Sequence, residues 1–234
     1  MRPGLTRIER QALRSSAGLI AAGALLSGPV AMLIVSRVAP QPRWVDAETF
    51  FVHYHPVQAL PYLLGYILLA GFILFTASCH ALAAPERRSG SAAALVCTGI
   101  YAALVFTNYT IQLGYIPRSM ATRPAWVADL TMANPSSFAW YLEMFGYAAM
   151  GVATWLVAGG FGGSRRAGAI RLLLIGNGVV SIIGAACTAL FDRWVFSTAG
   201  LVSFAGWNLV IVACYLLIAV SRDGGWAEAS GGSR

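Results

Sequence analysis

Lysine is absent from this chain, because all sixteen of its basic residues are arginine. The absence excludes a Schiff-base lysine, a lysine nucleophile and the lysine of a phosphate-binding loop. Acidic residues are also few, nine in 234, so a catalytic pair of carboxylates is difficult to assemble. The sequence patterns of serine hydrolases, zinc proteases and glycine-rich phosphate loops do not occur. The sequence therefore gives an enzymatic function little support and names no cofactor.

Charge of either sign is scarce. Charged residues make up 11% of the chain, whereas an ordinary soluble domain has roughly 25%. Hydrophobic residues reach 58%, and the mean hydropathy is +0.67. A soluble fold of this size cannot hide that much apolar surface. The composition therefore predicts an all-α, polytopic transmembrane helix bundle.

Residues that bind metals and haem are few as well. Three histidines cannot supply the two facing pairs that a two-haem membrane cytochrome needs. The four cysteines lie in apolar segments without Cys-x-x-Cys spacing, which is typical of buried free thiols. His53 and His55 form a His-x-His in a predicted outer loop, with Asp46 and Glu48 nearby. We interpret this loop as solvated and predict no metal site.

Six apolar stretches are long enough to cross a bilayer core, which takes roughly 20 helical residues. The predicted spans are 17–36, 57–84, 92–116, 138–160, 168–191 and 199–220. Together they form a transmembrane domain over 17–220, between a basic cytoplasmic N-terminus (1–16) and a cytoplasmic tail (221–234) that we expect to be disordered.

Arginine placement predicts the orientation. With both termini inside, eleven arginines lie on the inner side and five on the outer side, which favours an N-in, C-in arrangement. The net charge of +7 is then mainly a topology signal, and no nucleic-acid partner is indicated. The expected partners are membrane lipids, with membrane proteins or further copies of this chain as alternatives.

Glu143 is the formal charge that lies well inside a predicted span. An intramembrane carboxylate is costly and is a functional hypothesis by default. The preceding span carries Asn108 and Gln112 on one helical face with Tyr101, Val105 and Tyr115. Because these two spans are antiparallel neighbours, Asn108 and Gln112 lie at a depth near that of Glu143. The pattern predicts a polar pocket that opens outward.

The candidate ligand-binding residues are Glu143, Gln112, Asn108, Tyr147, Trp140 and Asn177. A structural interpretation remains open for them. Asn and Gln side chains also hydrogen-bond between membrane helices without serving a ligand, and a glutamate near a span end can reach the interface.

Three runs of sequence carry a family resemblance. They begin at Asn108-Tyr-Thr-Ile-Gln112, at Asn134-Pro-Ser-Ser-Phe-Ala-Trp140-Tyr-Leu-Glu143 and at Ile170-Arg171, the last reaching Asn177-Gly. Together they resemble a group of uncharacterised six-helix membrane proteins from bacteria and archaea. The resemblance implies that the Asn–Gln, Trp–Glu and Asn–Gly motifs belong together. We expect a multi-pass protein of the cytoplasmic membrane of a prokaryote. The resemblance supplies no activity.

Two functions remain open at this stage. The first is a membrane protein that binds or transports a small or lipidic ligand in the outward polar pocket. The alternative is a non-catalytic structural or accessory subunit of a larger membrane complex, which suits the absence of recognisable chemistry. The sequence names neither a ligand nor an oligomeric state.

The predicted orientation can be tested with a reporter fused after Arg88, in the short link between the second and third spans. We expect the reporter to be cytoplasmic, because paired arginines are retained on the inner side. A fusion after Arg123, in the long link between the third and fourth spans, should report the opposite side. A periplasmic signal after Arg88 would overturn the whole orientation.

Overall fold

The computed structural model describes residues 7–221 together with 225 and 226. Over these residues the regular structure is helical. One isolated antiparallel bridge joins Phe161 and Trp226, and the described residues contain no β-strand beyond it. Five of the described helices are long and apolar enough to cross a membrane. The predicted class, an all-α multi-pass membrane protein, is confirmed at this level.

Eight helices are numbered here in chain order. They are α1 (Arg7–Val38), α2 (Ala47–His53), α3 (Pro56–Leu82), α4 (Pro85–Arg118), α5 (Val127–Leu130), α6 (Phe138–Ala158), α7 (Arg165–Leu190) and α8 (Thr198–Val220). The five apolar helices are α1, α3, α4, α7 and α8. Helices α2 and α5 are short and lie in the two long links.

Helix α6 coincides with the fourth predicted span but is not among the five helices that are long and apolar enough to cross a membrane. It has 21 residues, enough for roughly 31 Å at 1.5 Å per residue. Glu143 and the amphipathic rings of Trp140, Tyr141 and Tyr147 lower its hydropathy. The structure thus gives five candidate spans among the described residues, and a sixth span at α6 stays a prediction.

Helix α1 differs most from its predicted span. It begins at Arg7 rather than at residue 17, so residues 7–16 of the predicted basic segment are helical. Arg14 Nε donates to the carbonyl oxygen of Ala219 at 2.8 Å, and Leu13 is fully buried. This first part of α1 is therefore packed against the end of α8. Residues 1–6 lie outside the described residues.

The six long helices pack as a closed ring in chain order. Each packs against its predecessor, from α1 through α3, α4, α6 and α7 to α8, and α8 packs against α1. Neighbouring helices run antiparallel, as in α1 and α3, where Gly23 faces Leu68 and Ile20 faces Gly71, so the bundle runs up and down. Large aromatic side chains fill its centre: Phe72, Phe75, Tyr101 and Tyr215 are fully buried.

Small residues allow the closest approaches between helices. A Cβ atom built on Gly23 would lie 2.6 Å from the Cα atom of Leu68 in α3. One built on Gly151 would lie 3.0 Å from the Cα atom of Gly178 in α7. These contacts join α1 to α3 and α6 to α7 through backbone rather than side chains, as is common between membrane helices.

Two π-helical turns interrupt the long helices. One spans Leu26–Val30 and contains Pro29, and the other spans Ile111–Tyr115, just before Pro117. A π turn shifts the following residues around the helix axis. The predicted polar face is therefore wrong at Tyr115. Tyr115 is 53% exposed, whereas Asn108 and Gln112 are buried.

Part of the C-terminal tail is packed, contrary to the expected disorder. Trp226 is buried, and its ring lies 5.1 Å from that of Phe161, in the link between α6 and α7. Gly225 has φ +75, a backbone conformation that favours glycine. Residues 222–224 and 227–234, which belong to the same expectation, lie outside the described residues.

The Gly23 contact predicts an effect of substitution on stability. Gly23→Ala should lower the free energy of unfolding in detergent by about 1–3 kcal/mol, because the added methyl group meets the backbone of α3. Gly18→Ala in the same helix is the matched control, since a Cβ atom there meets nothing within 4 Å. Equal stability of the two variants in a denaturation experiment would contradict the proposed close contact.

Candidate functional site

The carboxylate of Glu143 is bound by two side chains of α4. Asn108 Nδ2 donates to Glu143 Oε2 at 2.8 Å, and the hydroxyl of Tyr109 donates to Oε1 at 3.1 Å. Glu143 is 8% exposed and Asn108 is fully buried. The structure therefore brings Asn108 and Glu143 together across the α4–α6 contact, as the sequence pattern predicts.

Tyr109 is a residue of this site that the sequence analysis missed. It lies about 100° around the helix from Asn108, away from the predicted face, but it is also buried. Its ring occupies the space above Gly65 in α3 and lies 5.7 Å from the ring of Tyr62. Because α4 packs against both α3 and α6, two of its faces are interior. The sequence feature that could have indicated this position is Gly65 on α3, which leaves room for the ring of Tyr109.

Tyr147 extends the site toward the centre of the bundle. Its hydroxyl lies 3.3 Å from that of Tyr109, and its ring lies 5.5 Å from the ring of Tyr101 and 4.9 Å from that of Trp207. The carboxylate thus connects through two phenol groups to the aromatic interior. We call Glu143, Asn108, Tyr109, Gln112 and Tyr147 the Glu143 cluster.

Gln112 connects the Glu143 cluster by hydrogen bonds to the loop that precedes α6. Its Nε2 atom donates to Asn108 Oδ1 at 3.2 Å and to the carbonyl oxygen of Leu130 at 2.7 Å. Its Oε1 atom accepts from the backbone N–H of Met132 at 3.2 Å. Trp140 Nε1 donates to the carbonyl oxygen of Met132 at 3.0 Å. Four of the six predicted site residues thus meet at this end of the bundle, with Tyr147 beside them.

Residues 130–132, the cover segment, close the cluster on the side of the two long links. Asn108 Nδ2 lies 3.1 Å from the sulfur atom of Met132, and Met132 is itself 7% exposed. The expected pocket that opens outward is therefore closed in this structure.

A second apolar cluster holds the two long links together above the cover segment. Phe50 and Phe51 of α2 pack with Ile116 and Val127. Arg123 binds Glu48 at 3.2 Å and lies over the ring of Phe51, 5.8 Å from its centroid. The long links thus form a packed layer of their own, and Leu130 of the cover segment packs against it.

The N-terminus of α2 is capped by Asp46. The backbone N–H of Thr49 donates to Asp46 Oδ1 at 2.7 Å. This hydrogen bond favours the charged carboxylate and lowers the pKa of Asp46 below its ordinary value of 3.8. Because the folded-state pKa is the lower one, the cap is complete above the ordinary value and is lost as the pH falls through the lowered one.

Asn177, a predicted site residue, lies elsewhere. Its Nδ2 atom donates to Thr154 Oγ1 at 3.1 Å, and Thr154 Oγ1 donates to the carbonyl oxygen of Leu174 at 3.0 Å. Thr154 is eleven residues beyond Glu143 on α6, which places it roughly 16 Å along the helix axis. Asn177 therefore joins α6 to α7 and does not belong to the Glu143 cluster.

The histidines of the predicted His-x-His, His53 and His55, make local contacts. His53 Nδ1 lies 2.8 Å from the carbonyl oxygen of Thr49, and His55 Nδ1 accepts from the backbone N–H of Val57 at 3.1 Å. Within the described part of the chain, no group of three His, Cys, Asp or Glu side chains is placed to hold a metal ion.

The electrostatic character of the Glu143 cluster follows from its partners. Asn108 and Tyr109 are neutral donors, and no arginine or histidine of the described residues pairs with Glu143. A buried carboxylate without a counter-charge is costly in an apolar interior. The cluster can thus accept a hydrogen bond, a proton or a positively charged group.

Comparisons with protein-family models, with curated proteins and with solved structures give no match to this chain. The resemblance to uncharacterised six-helix proteins therefore stays a prediction.

The bonds to the cover segment can be tested by hydrogen exchange. Gln112→Leu should speed exchange of the Met132 amide about five-fold, because it removes an acceptor worth about 1 kcal/mol. Amides of α8, measured in the same sample, should be unchanged. If the Met132 amide exchanged as before, Gln112 would not be what holds the cover segment.

Proposed function

We propose that this chain is a six-span protein of the cytoplasmic membrane of a prokaryote, with both termini inside, that binds or transports a small or lipidic ligand at the Glu143 cluster. In this proposal α6 is the sixth span. Its lower hydropathy comes from the residues of the site itself, and the apolar helices α4 and α7 pack on both of its sides.

The observation that carries the proposal is the buried carboxylate with neutral partners. A structural glutamate in an apolar interior is ordinarily matched by a cation, whereas Glu143 is bound by an amide and a phenol. Its free acceptor capacity suits a ligand that brings a hydrogen-bond donor or a positive charge. The surrounding rings of Tyr62, Tyr109 and Tyr147 offer apolar contact to the rest of such a ligand.

Access in this proposal is from the outer side, past the cover segment. The segment lies directly on Asn108 and is held by side-chain bonds from Gln112 and Trp140. These few bonds can break together without unfolding the helices beneath them. The ion pair of Arg123 with Glu48 lies on the surface above and would follow the same movement.

The direct test is Glu143→Gln, which keeps the shape of the side chain and removes its charge. Native mass spectrometry of protein extracted gently from its own membranes should detect a bound small molecule or lipid that the variant loses. Folded yield and thermal stability should stay close to those of the original protein. Glu86→Gln, at an exposed acidic residue of the opposite end of the bundle, is the matched control and should retain the ligand.

A second readout separates a ligand site from a structural glutamate. Infrared difference spectra recorded on ligand addition or on a pH step should show a carboxyl band that disappears in Glu143→Gln. Parallel loss of folding and ligand in the variant, without such a band in the original protein, would assign Glu143 to packing and overturn the proposal.

A second candidate function, that of a subunit in a larger assembly, is favoured by a different observation. Residues 201–206 of α8 are exposed on every side of the helix, and so are most of residues 32–38 of α1. Helical segments that contact little of their own bundle suit a neighbouring helix or lipid. A polypeptide bound in fixed ratio in the same mass spectra would favour this function.

A further inference from the structure

The two ends of the bundle differ sharply in charge. At the end where α1, α4 and α7 begin, the described residues include eight arginines and two glutamates. At the opposite end they include five arginines and four acidic residues. Two of those five outer arginines, Arg123 and Arg193, bind acidic neighbours. The first of these ends, the arginine-rich end, is therefore a strongly positive surface.

Within that end, the first turn of α4 lies beside the link that precedes α7. The Nη1 atom of Arg87 donates to the carbonyl oxygen of Gly159, which directly follows α6. This bond holds the start of α4 against the α6–α7 link. Arg88 follows Arg87 in the chain, Arg165 and Arg166 stand at the other end of the α6–α7 link, and all three are exposed. The acidic residue nearest to Arg87 in sequence is Glu86, which is exposed as well.

The same place holds the first turns of two long helices. Helix α7 starts at Arg165 after Ser164, whose hydroxyl accepts from the backbone N–H of Ala167 at 3.1 Å, and the regular α-helical part of α4 starts at Arg88. The positive end of the helix dipole favours a negative charge nearby. Arginine adds planar, two-pronged hydrogen bonding that matches a phosphate group.

We propose that Arg88, Arg165 and Arg166 form a binding surface for the phosphate headgroup of an anionic phospholipid. A lipid is the occupant that fits, because apolar helices rise directly from the arginines on both sides. Leu172 on α7 is 70% exposed and Val96 on α4 is 65% exposed, so acyl chains meet apolar surface about two turns from the charges. This surface is independent of the Glu143 cluster.

The test compares two triple variants of the full-length protein. The first is Arg88→Gln/Arg165→Gln/Arg166→Gln, and the control is Arg37→Gln/Arg43→Gln/Arg118→Gln, which removes the same charge from exposed residues of the opposite end. Each delipidated protein is titrated with phosphatidylglycerol or phosphatidylcholine, and bound lipid is counted by native mass spectrometry. Inorganic phosphate is then added as a competitor.

The original protein should retain phosphatidylglycerol in preference to phosphatidylcholine. The first triple variant should weaken that retention at least about ten-fold, and the control should leave it unchanged. If the first triple variant does not fold, Arg165→Gln/Arg166→Gln should still show a smaller loss. Equal retention by the variants and the control, or full displacement of the lipid by phosphate, would overturn the proposal.

Discussion

The carboxylate of Glu143 is the constraint around which this bundle is arranged. A charge-bearing group placed between packed apolar helices must be hydrogen-bonded, because water does not reach it. Asn108 and Tyr109 supply those bonds from α4, and Gln112 passes the network on to the loop backbone. Hydrogen bonds of Glu143 thus join α6 to α4, and those of Gln112 join α4 to the cover segment. Because its partners Asn108 and Tyr109 are neutral, Glu143 is not one half of an ion pair, and it is a candidate for binding a ligand.

The remainder of the interior is made of rings rather than polar groups. Tyr101 packs edge-on against Phe72, with 5.4 Å between ring centroids, and Phe75 packs in the same way against Tyr215 at 5.1 Å. Below them the ring of Phe161 lies against Trp226. Aromatic side chains fill a wide ring of six helices with few residues and little loss of side-chain entropy. Glycines such as Gly23 and Gly151 allow neighbouring helices of the ring to approach closely.

The two ends of the bundle differ in the length of their links and in the contacts that these links make. At one end the long links fold into a layer with its own apolar cluster and a surface ion pair, so that polar loop backbone covers the Glu143 cluster. At the arginine-rich end the links are short, and guanidinium groups bind terminal carbonyl oxygens, as Arg14 does with Ala219 and Arg87 with Gly159. These bonds satisfy helix ends that would otherwise face the bilayer headgroups unpaired.

The sequence by itself determined the helical class, five apolar spans and the meeting of Asn108 with Glu143. It did so because apolar runs of this length have few folds open to them in a membrane and because helical periodicity places i and i+4 on one face. The tertiary structure decided the rest. Tyr109 enters the site because α4 is enclosed on two sides, and Tyr115 leaves it through a π turn. Asn177 of α7 bonds instead to Thr154, which lies too far along α6 from Glu143. The cover segment and the buried Trp226 depend on contacts between residues distant in the chain, which no local pattern records.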